Sequence, residues 1–110
     1  MEEFVKGDIV VVPFPFSDLS TFKRRPAFVL AQLPGPDIIL CQITSKLKDD
    51  IYAIEIKTSD YKSGGLNLTS YIRPSRIFTA EKAIIQYKVG TVQENKLNEV
   101  REKLKSLLEL

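Results

Sequence analysis

The sequence predicts a small, mainly β domain of the α+β class: a strongly bent barrel closed by a C-terminal helix. Residues 1–90 contain short apolar segments rich in β-branched side chains, separated by turn-forming residues. Residues 91–110 instead place leucine and valine at helical spacing, with Glu and Lys between them. We expect one domain over residues 1–110, because each half of this 110-residue chain would be too short for a core of its own.

The strands are predicted from the apolar runs, which lie at 9–12, 26–32, 38–44, 52–56, 71–72, 76–78 and 84–89. Pro13 and Pro15 favour an extended segment with few ladder hydrogen bonds, as at a strand end or a sheet edge, because proline cannot donate to a β-ladder. The turn residues at 33–37 join the second and third strands as a hairpin. Loops are predicted at the polar or glycine-rich segments 17–25, 45–50 and 62–65.

The terminal helix is predicted to begin at a capping box. Thr91 and Glu94 have the T-x-x-E spacing in which the hydroxyl and the carboxylate each bind a free backbone N–H. The apolar residues that follow recur on one helical face: Leu97, Val100, Leu104, Leu107 and Leu108. We expect this face to pack on the sheet, which makes the helix a structural element.

The residue types that are missing restrict the chemistry. The chain has no histidine, which excludes Ser-His-Asp and Cys-His catalysis and removes the commonest transition-metal ligand. The single cysteine, Cys41, cannot form an internal disulfide or hold zinc, and we expect it to be buried and inert in its apolar strand. No cofactor and no metal site are predicted, so proton transfers would fall to Asp, Glu, Lys, Tyr, Arg or water.

A cytoplasmic protein is expected from the same composition. The longest apolar run, residues 9–16, contains two prolines and is far shorter than the roughly 20 residues of a membrane span. Charged residues interrupt any apolar stretch at the start of the chain, so no signal peptide is predicted. A lone cysteine fits a reducing compartment.

A candidate anion site follows from the hairpin. The net charge of +2 is too small to indicate a nucleic-acid partner by itself, but Lys23, Arg24 and Arg25 form a tight basic run. In a hairpin, the start of the second strand and the end of the third lie at the same end, so Thr44 and Ser45 should approach Arg25. A guanidinium beside hydroxyl donors suits a phosphate.

The alternative is that Arg25 pairs with a carboxylate and that Thr44 caps a turn at the strand end. The spacing alone leaves both interpretations open and slightly favours the second.

Several segments together resemble the MazF/PemK toxin family. The chain has GDIVVVPFPF at 7–16, KRRPAFVL at 23–30 and QITS at 42–45. The similarity continues with GL at 65–66, SYI at 70–72, RIFT at 76–79 and VGTV at 89–92, so that it covers nearly the whole chain. Each motif alone is weak, but their common order and spacing make the resemblance specific.

The resemblance implies a fold, an activity and partners. Members of this family are toxins of type II toxin–antitoxin pairs that adopt an SH3-like barrel with a C-terminal helix and form homodimers. They cleave single-stranded RNA at specific sequences without a metal, and a cognate antitoxin protein blocks the site. The family's catalytic arginine maps onto Arg25 and its catalytic threonine onto Thr44. The RNA 2′-hydroxyl attacks its own phosphorus, so the protein has to supply positioning and charge stabilisation.

The residues around this pair are the candidate substrate-binding residues: Ser17, Asp18, Phe22, Lys23, Arg24, Ser45 and Lys46. The loop at 17–24 departs from the G-S-E-Q type loop of better-known members, because it lacks both glycines and the glutamate. Asp18 either replaces that carboxylate, as a possible general base, or caps the loop through an Asx turn. Phe22 either stacks on a base or anchors the loop into the barrel end.

Other functions are also compatible with the sequence. The protein could be a non-catalytic growth inhibitor of the gyrase-poison type, with Leu107, Leu108 and Leu110 as its contact surface, or an inactive nucleic-acid-binding relative. Phe14, Phe16 and the terminal leucines exceed what one small core needs, which favours a dimer.

Overall fold

One antiparallel sheet joins all the described strands. A computed structural model describes residues 3–15, 22–47 and 49–109. The elements are β1 (Asp8–Pro15), β2 (Phe22–Gln32), β3 (Asp37–Thr44), β4 (Ile54–Ile56), β5 (Tyr61–Gly64), β6 (Ser70–Glu81), β7 (Tyr87–Val92) and α1 (Glu94–Leu108), with 3-10 turns at Thr58–Asp60 and Lys82–Ile84. The strand order is β4-β6-β3-β2-β1-β7-β5. The prediction of a mainly β protein with a C-terminal helix is confirmed.

The sheet buries apolar side chains on both of its faces. The inner cluster contains Phe28, Cys41 and Ile43, and α1 covers it with the buried Val100. The outer cluster lies on the opposite face of the same strands and also includes Phe4, which precedes β1. Its strand residues are Val10, Val12, Ala27, Val29, Ile38 and Leu40. Burial on both faces explains why the segments 9–12 and 27–30 are continuously apolar rather than alternating.

The hairpin prediction is confirmed, and the two prolines lie at the end of β1, one of the two positions predicted for them. β2 and β3 pair antiparallel from Ala27–Gln42 to Gln32–Ile38, on either side of the turn at 33–36. β7 pairs with β1 only as far as Val11, so that Pro13 and Pro15 pair with β2 alone. The missing N–H groups of these prolines are therefore not needed by a second neighbouring strand.

Several predicted loop or strand boundaries were wrong. β2 begins at Phe22 rather than at 26, because the basic segment 23–25 pairs with 12–14 of β1. The predicted loop at 62–65 is largely the strand β5, which pairs with β7. The separate strands predicted at 71–72 and 76–78 are one strand, β6. The register with β3 jumps from the Gln42–Arg73 pair to the Cys41–Ile77 pair, which marks a bulge.

The predicted capping box was also wrong. α1 begins at Glu94 after Gln93, and no side chain caps it. Thr91 instead lies in β7, where its hydroxyl donates to Asp8 Oδ1 at 2.8 Å. Asp8 is buried, and its other oxygen, Oδ2, accepts the Val5 N–H, so that each oxygen of this buried carboxylate has a donor.

The apolar stripe of α1 packs on the sheet only over its first three turns. Val100 is buried and Leu97 and Leu104 pack against the inner cluster, whereas Leu108 is 54% exposed. Lys96 adds a polar anchor, because its Nζ donates to Glu55 O and to Glu99 Oε1, both at 2.9 Å. No helix within the described ranges has both the length and the apolar character to cross a membrane.

Cys41 lies on β3 and is fully buried, as the sequence predicted. Burial raises the pKa of its thiol from 9.0 to about 12, because the thiolate would lose its hydration. The thiolate is the reactive form of cysteine, so Cys41 contributes packing rather than chemistry.

Candidate functional site

A pocket of about 270 Å³ opens where the β2–β3 ladder ends. The last backbone pair of that ladder is Ala27–Gln42, and Arg25 and Thr44 lie two residues beyond it on their strands. The pocket lining comes from three segments: Lys23, Arg24, Arg25, Pro26, Ile43, Thr44, Ser45, Leu66, Asn67, Leu68 and Ser70. The structure thus brings five of the sequence-predicted site residues, including Arg25 and Thr44, to one opening.

The pairing of β1 with β2 orients the basic run. Arg25 pairs with Val12 and is half-buried, so its side chain lies on the face of the outer cluster. Lys23 and Arg24 are exposed, and Arg24 lies on the other face because successive strand residues alternate. The described lining holds these three cations and no carboxylate, which makes the pocket attractive to an anion.

Thr44 forms a local turn with its hydroxyl. Thr44 Oγ1 donates to Lys46 O and accepts the Lys46 N–H, both at 3.1 Å. This is the turn-forming role that the sequence left open. A distance of 3.1 Å is long for an O–H donor, so the bond to Lys46 O is weak and the hydroxyl proton can turn towards a ligand at small cost.

Not all predicted site residues take part in the pocket. Ser45 lies on its rim, but the exposed side chain of Lys46 is not part of the lining. Ser17 and Asp18 lie outside the described residues, as does Phe16. Phe22 is the first residue of β2, and its side chain is outside the described part of the chain.

The wall formed by residues 66–68 and Ser70 was not predicted from the sequence. Residues 66–68 lie between β5 and β6, and Ser70 is the first residue of β6; all are more than twenty positions from Thr44 along the chain. Nothing in their composition indicates a site. The only sequence signal was that the flanking segments 65–66 and 70–72 belong to the resemblance described above.

A buried ion pair supports the strand beside the pocket. Arg73 on β6 pairs with Gln42 of β3, and its Nε donates to Asp50 Oδ2 at 2.8 Å. The Asp50 side chain is only 5% exposed, and it also accepts the Tyr52 N–H. Burial by itself raises the pKa of the Asp50 carboxyl, but the hydrogen bonds from Arg73 and Tyr52 outweigh it and hold the pKa below 3.8.

This lowered pKa predicts that acid weakens the fold. A carboxyl with a lower pKa in the folded state stabilises it above the unfolded pKa, and that contribution is lost as the pH falls through the folded value. We therefore expect Asp50→Asn to lower the melting temperature at pH 7, and the difference from wild type to shrink below about pH 4. Thermal unfolding between pH 3 and pH 7 measures this. The exposed neighbour Asp49 provides the control Asp49→Asn, and an equal effect of both substitutions would contradict the assignment.

The described residues contain no group of three or more His, Cys, Asp or Glu side chains that could hold a metal ion. The polar residues of the pocket lining carry cations, hydroxyls and an amide, beside apolar residues. These groups bind oxyanions and can stabilise negative charge that develops on a phosphoryl group.

The fold is similar to that of several solved toxin structures. An endoribonuclease from a Mycobacterial species, in complex with its cognate antitoxin, superposes with a TM-score of 0.77 at 17% identity, covering 100% of this chain and 97% of that chain. MazF from Deinococcus radiodurans gives 0.77 at 21% identity over 100% of both chains. The MazE–MazF complex from the same organism gives 0.76 at 20% identity, covering 96% of each chain.

At these identities the likeness establishes the fold, and no curated protein matches the sequence significantly. The family is established by sequence. The profile of the PemK-like, MazF-like toxins of type II toxin–antitoxin systems matches residues 5–108. The resemblance in the sequence motifs is therefore confirmed, and the chain belongs to the PemK-like, MazF-like toxin family.

Proposed function

We propose that this toxin is an endoribonuclease that cleaves single-stranded RNA at specific sequences. The observation that carries the proposal is the pocket where Arg25, Thr44 and two further cations meet without a carboxylate among the described lining residues. The similar structures include proteins described as endoribonucleases. An RNA phosphodiester is the anion that such a pocket in this family would be expected to bind.

The reaction needs little covalent chemistry from the protein. The 2′-oxygen forms a bond to the adjacent phosphorus as its proton leaves, and the bond from phosphorus to the 5′-oxygen breaks as that oxygen gains a proton. The products are a 2′,3′-cyclic phosphate and a 5′-hydroxyl. Negative charge grows on the non-bridging oxygens, and the Arg25 guanidinium stabilises it electrostatically. A guanidinium carries donors and no acceptor, so Arg25 binds the phosphoryl oxygens and does not act as the base.

The other residues bind and position the RNA in this proposal. Lys23 and Arg24 contact neighbouring phosphates, and Ser45 donates from the rim of the pocket. Lys46 follows on the same exposed turn and extends the cationic surface. Asp18 remains the candidate for the base and Phe22 for stacking on a nucleobase.

The proposed partners follow from the family. We propose that a cognate antitoxin inhibits the toxin by covering this basic pocket, since similar proteins form complexes with their antitoxins. We propose a homodimer in the cytoplasm as the working form of the toxin.

The decisive experiment mixes the purified protein with a mixed-sequence RNA in EDTA. We expect a limited set of fragments that end in 2′,3′-cyclic phosphate and begin with a 5′-hydroxyl. RNA that stays intact would contradict the proposal. Growth arrest that survives Arg25→Ala but is lost on truncation after Lys105 would instead favour inhibition by protein binding through the terminal helix.

Thr44 gives a separate prediction. The hydroxyl must leave Lys46 O to donate to the phosphate, so part of its contribution is offset by the broken bond. We expect Thr44→Val to lower kcat about tenfold to a hundredfold, below the full effect of a free oxyanion donor. Thr44→Ser keeps the hydroxyl and should retain most of the activity. Equal cleavage rates for Thr44→Val and Thr44→Ser would mean that the Thr44 hydroxyl forms the turn and takes no part in cleavage.

A further inference from the structure

The segment between β5 and β6 holds its backbone rigidly at the pocket. The Gly65 N–H donates to Val89 O at 3.1 Å, and Leu66 packs against the inner cluster. On the other side, the hydroxyl of the buried Ser70 donates to Leu68 O at 3.0 Å. These contacts fix the chain on both sides of Asn67, so that its side chain projects from a defined position.

The Asn67 amide is available for a ligand. The residue is exposed and lines the pocket together with Arg25 and Thr44, and its amide makes no hydrogen bond to any described residue. An amide carries donors and an acceptor at a fixed separation on one planar group. Leu66 and Leu68 flank it in the lining and offer apolar surface to the face of a flat ring.

The size of the pocket limits what the amide can contact. A volume of about 270 Å³ lies just below the range of roughly 300–1,000 Å³ that encloses drug-sized ligands, so the pocket suits a single nucleotide. If Arg25 holds the scissile phosphate, the attached base is the part of the RNA that reaches the other wall. Single-stranded RNA is recognised through splayed bases whose Watson–Crick edges form hydrogen bonds.

We propose that Asn67 is a specificity-determining residue that reads the edge of a base next to the scissile phosphate, with Leu66 and Leu68 against the base faces. This inference rests on the proposed endoribonuclease function. The amide reads a base that presents a donor and an acceptor side by side. Asn67→Asp would present acceptors only, and guanine is the base whose N1–H and N2–H₂ are neighbouring donors.

The test cleaves a randomised RNA library and sequences the ends of the products. For Asn67→Ala we expect the preference at one position beside the cut to fall roughly tenfold to a hundredfold, with preferences at other positions retained. For Asn67→Asp we expect the preference at that position to move towards guanine. Asn95→Ala, an exposed asparagine on α1 outside the pocket, is the matched control and should keep the wild-type profile.

The outcomes separate this inference from the proposed function. A wild-type protein that cuts no RNA overturns the endoribonuclease and the inference with it. A wild type that cuts specifically, with Asn67→Ala and Asn67→Asp showing the same sequence profile, overturns the role of Asn67 alone. A uniform loss of rate at all sites with an unchanged profile also overturns it, because a merely structural role would act in that way.

Discussion

Arg25→Ala is expected to lower the rate of RNA cleavage at least 10²–10³-fold, the usual effect of removing a group that stabilises transition-state charge. The reason is the geometry of the guanidinium, which can donate two parallel hydrogen bonds to phosphoryl oxygens in a half-buried position. The pairing of Arg25 with Val12 runs through the backbone, so the sheet should survive the substitution. The loss should therefore appear in kcat rather than in the fraction of folded protein.

Single-turnover cleavage with saturating protein measures this effect. Arg25→Lys keeps the charge but offers only a point donor, so we expect it to recover a small part of the lost rate. Arg101→Ala removes an arginine on α1 whose Nη1 donates to Asn98 Oδ1, and it should cleave like wild type. Equal cleavage by Arg25→Ala and Arg101→Ala would remove Arg25 from the mechanism.

The proximity of Arg25 and Thr44 could be predicted because it depends only on a hairpin between two strands that are consecutive in the sequence. The turn at 33–37 determines the hairpin, and once β2 and β3 are antiparallel neighbours the start of one must lie beside the end of the other. The apolar face of α1 around Val100 could also be predicted, because the helical spacing of apolar residues can be recognised without knowing the rest of the fold.

The errors occurred where a distant partner decides the structure. Thr91 has the local spacing of a helix cap, but Asp8, far away in sequence, takes its hydroxyl. The basic segment 23–25 has the composition of a loop and forms a strand because β1 provides the ladder. Asn67 had no local signal at all, since its role arises only when the segment between β5 and β6 closes the pocket.

β5 is the clearest of these cases. A segment with two glycines indicates a loop by composition, since glycine weakens a strand. Here Gly64 pairs with Gly90 of β7, and the two backbones approach more closely than side chains would allow. The glycines therefore permit the strand pairing instead of preventing it.

Gly90→Ala is consequently expected to cause a large loss of stability, about 3 kcal/mol. A Cβ on Gly90 would lie 2.6 Å from Ser63 O and 2.7 Å from Gly65 N. Both are backbone atoms, so no side-chain rotation relieves the clash and β5 has to move away from β7. For a domain of this size the melting temperature should fall by roughly 12–24 °C.

Gly90→Ala should also disturb the pocket. The Gly65 N–H donates to Val89 O, next to the substituted residue, and Gly65 begins the segment that carries Asn67. Gly35→Ala separates this steric effect from the loss of a glycine as such. Gly35 has φ +89° with no atom within 4 Å of a new Cβ, so the substitution costs only the strained backbone, about 1 kcal/mol. Thermal unfolding of both variants measures the difference. Equal melting temperatures would mean that β5 and β7 do not approach as closely as their two glycines permit.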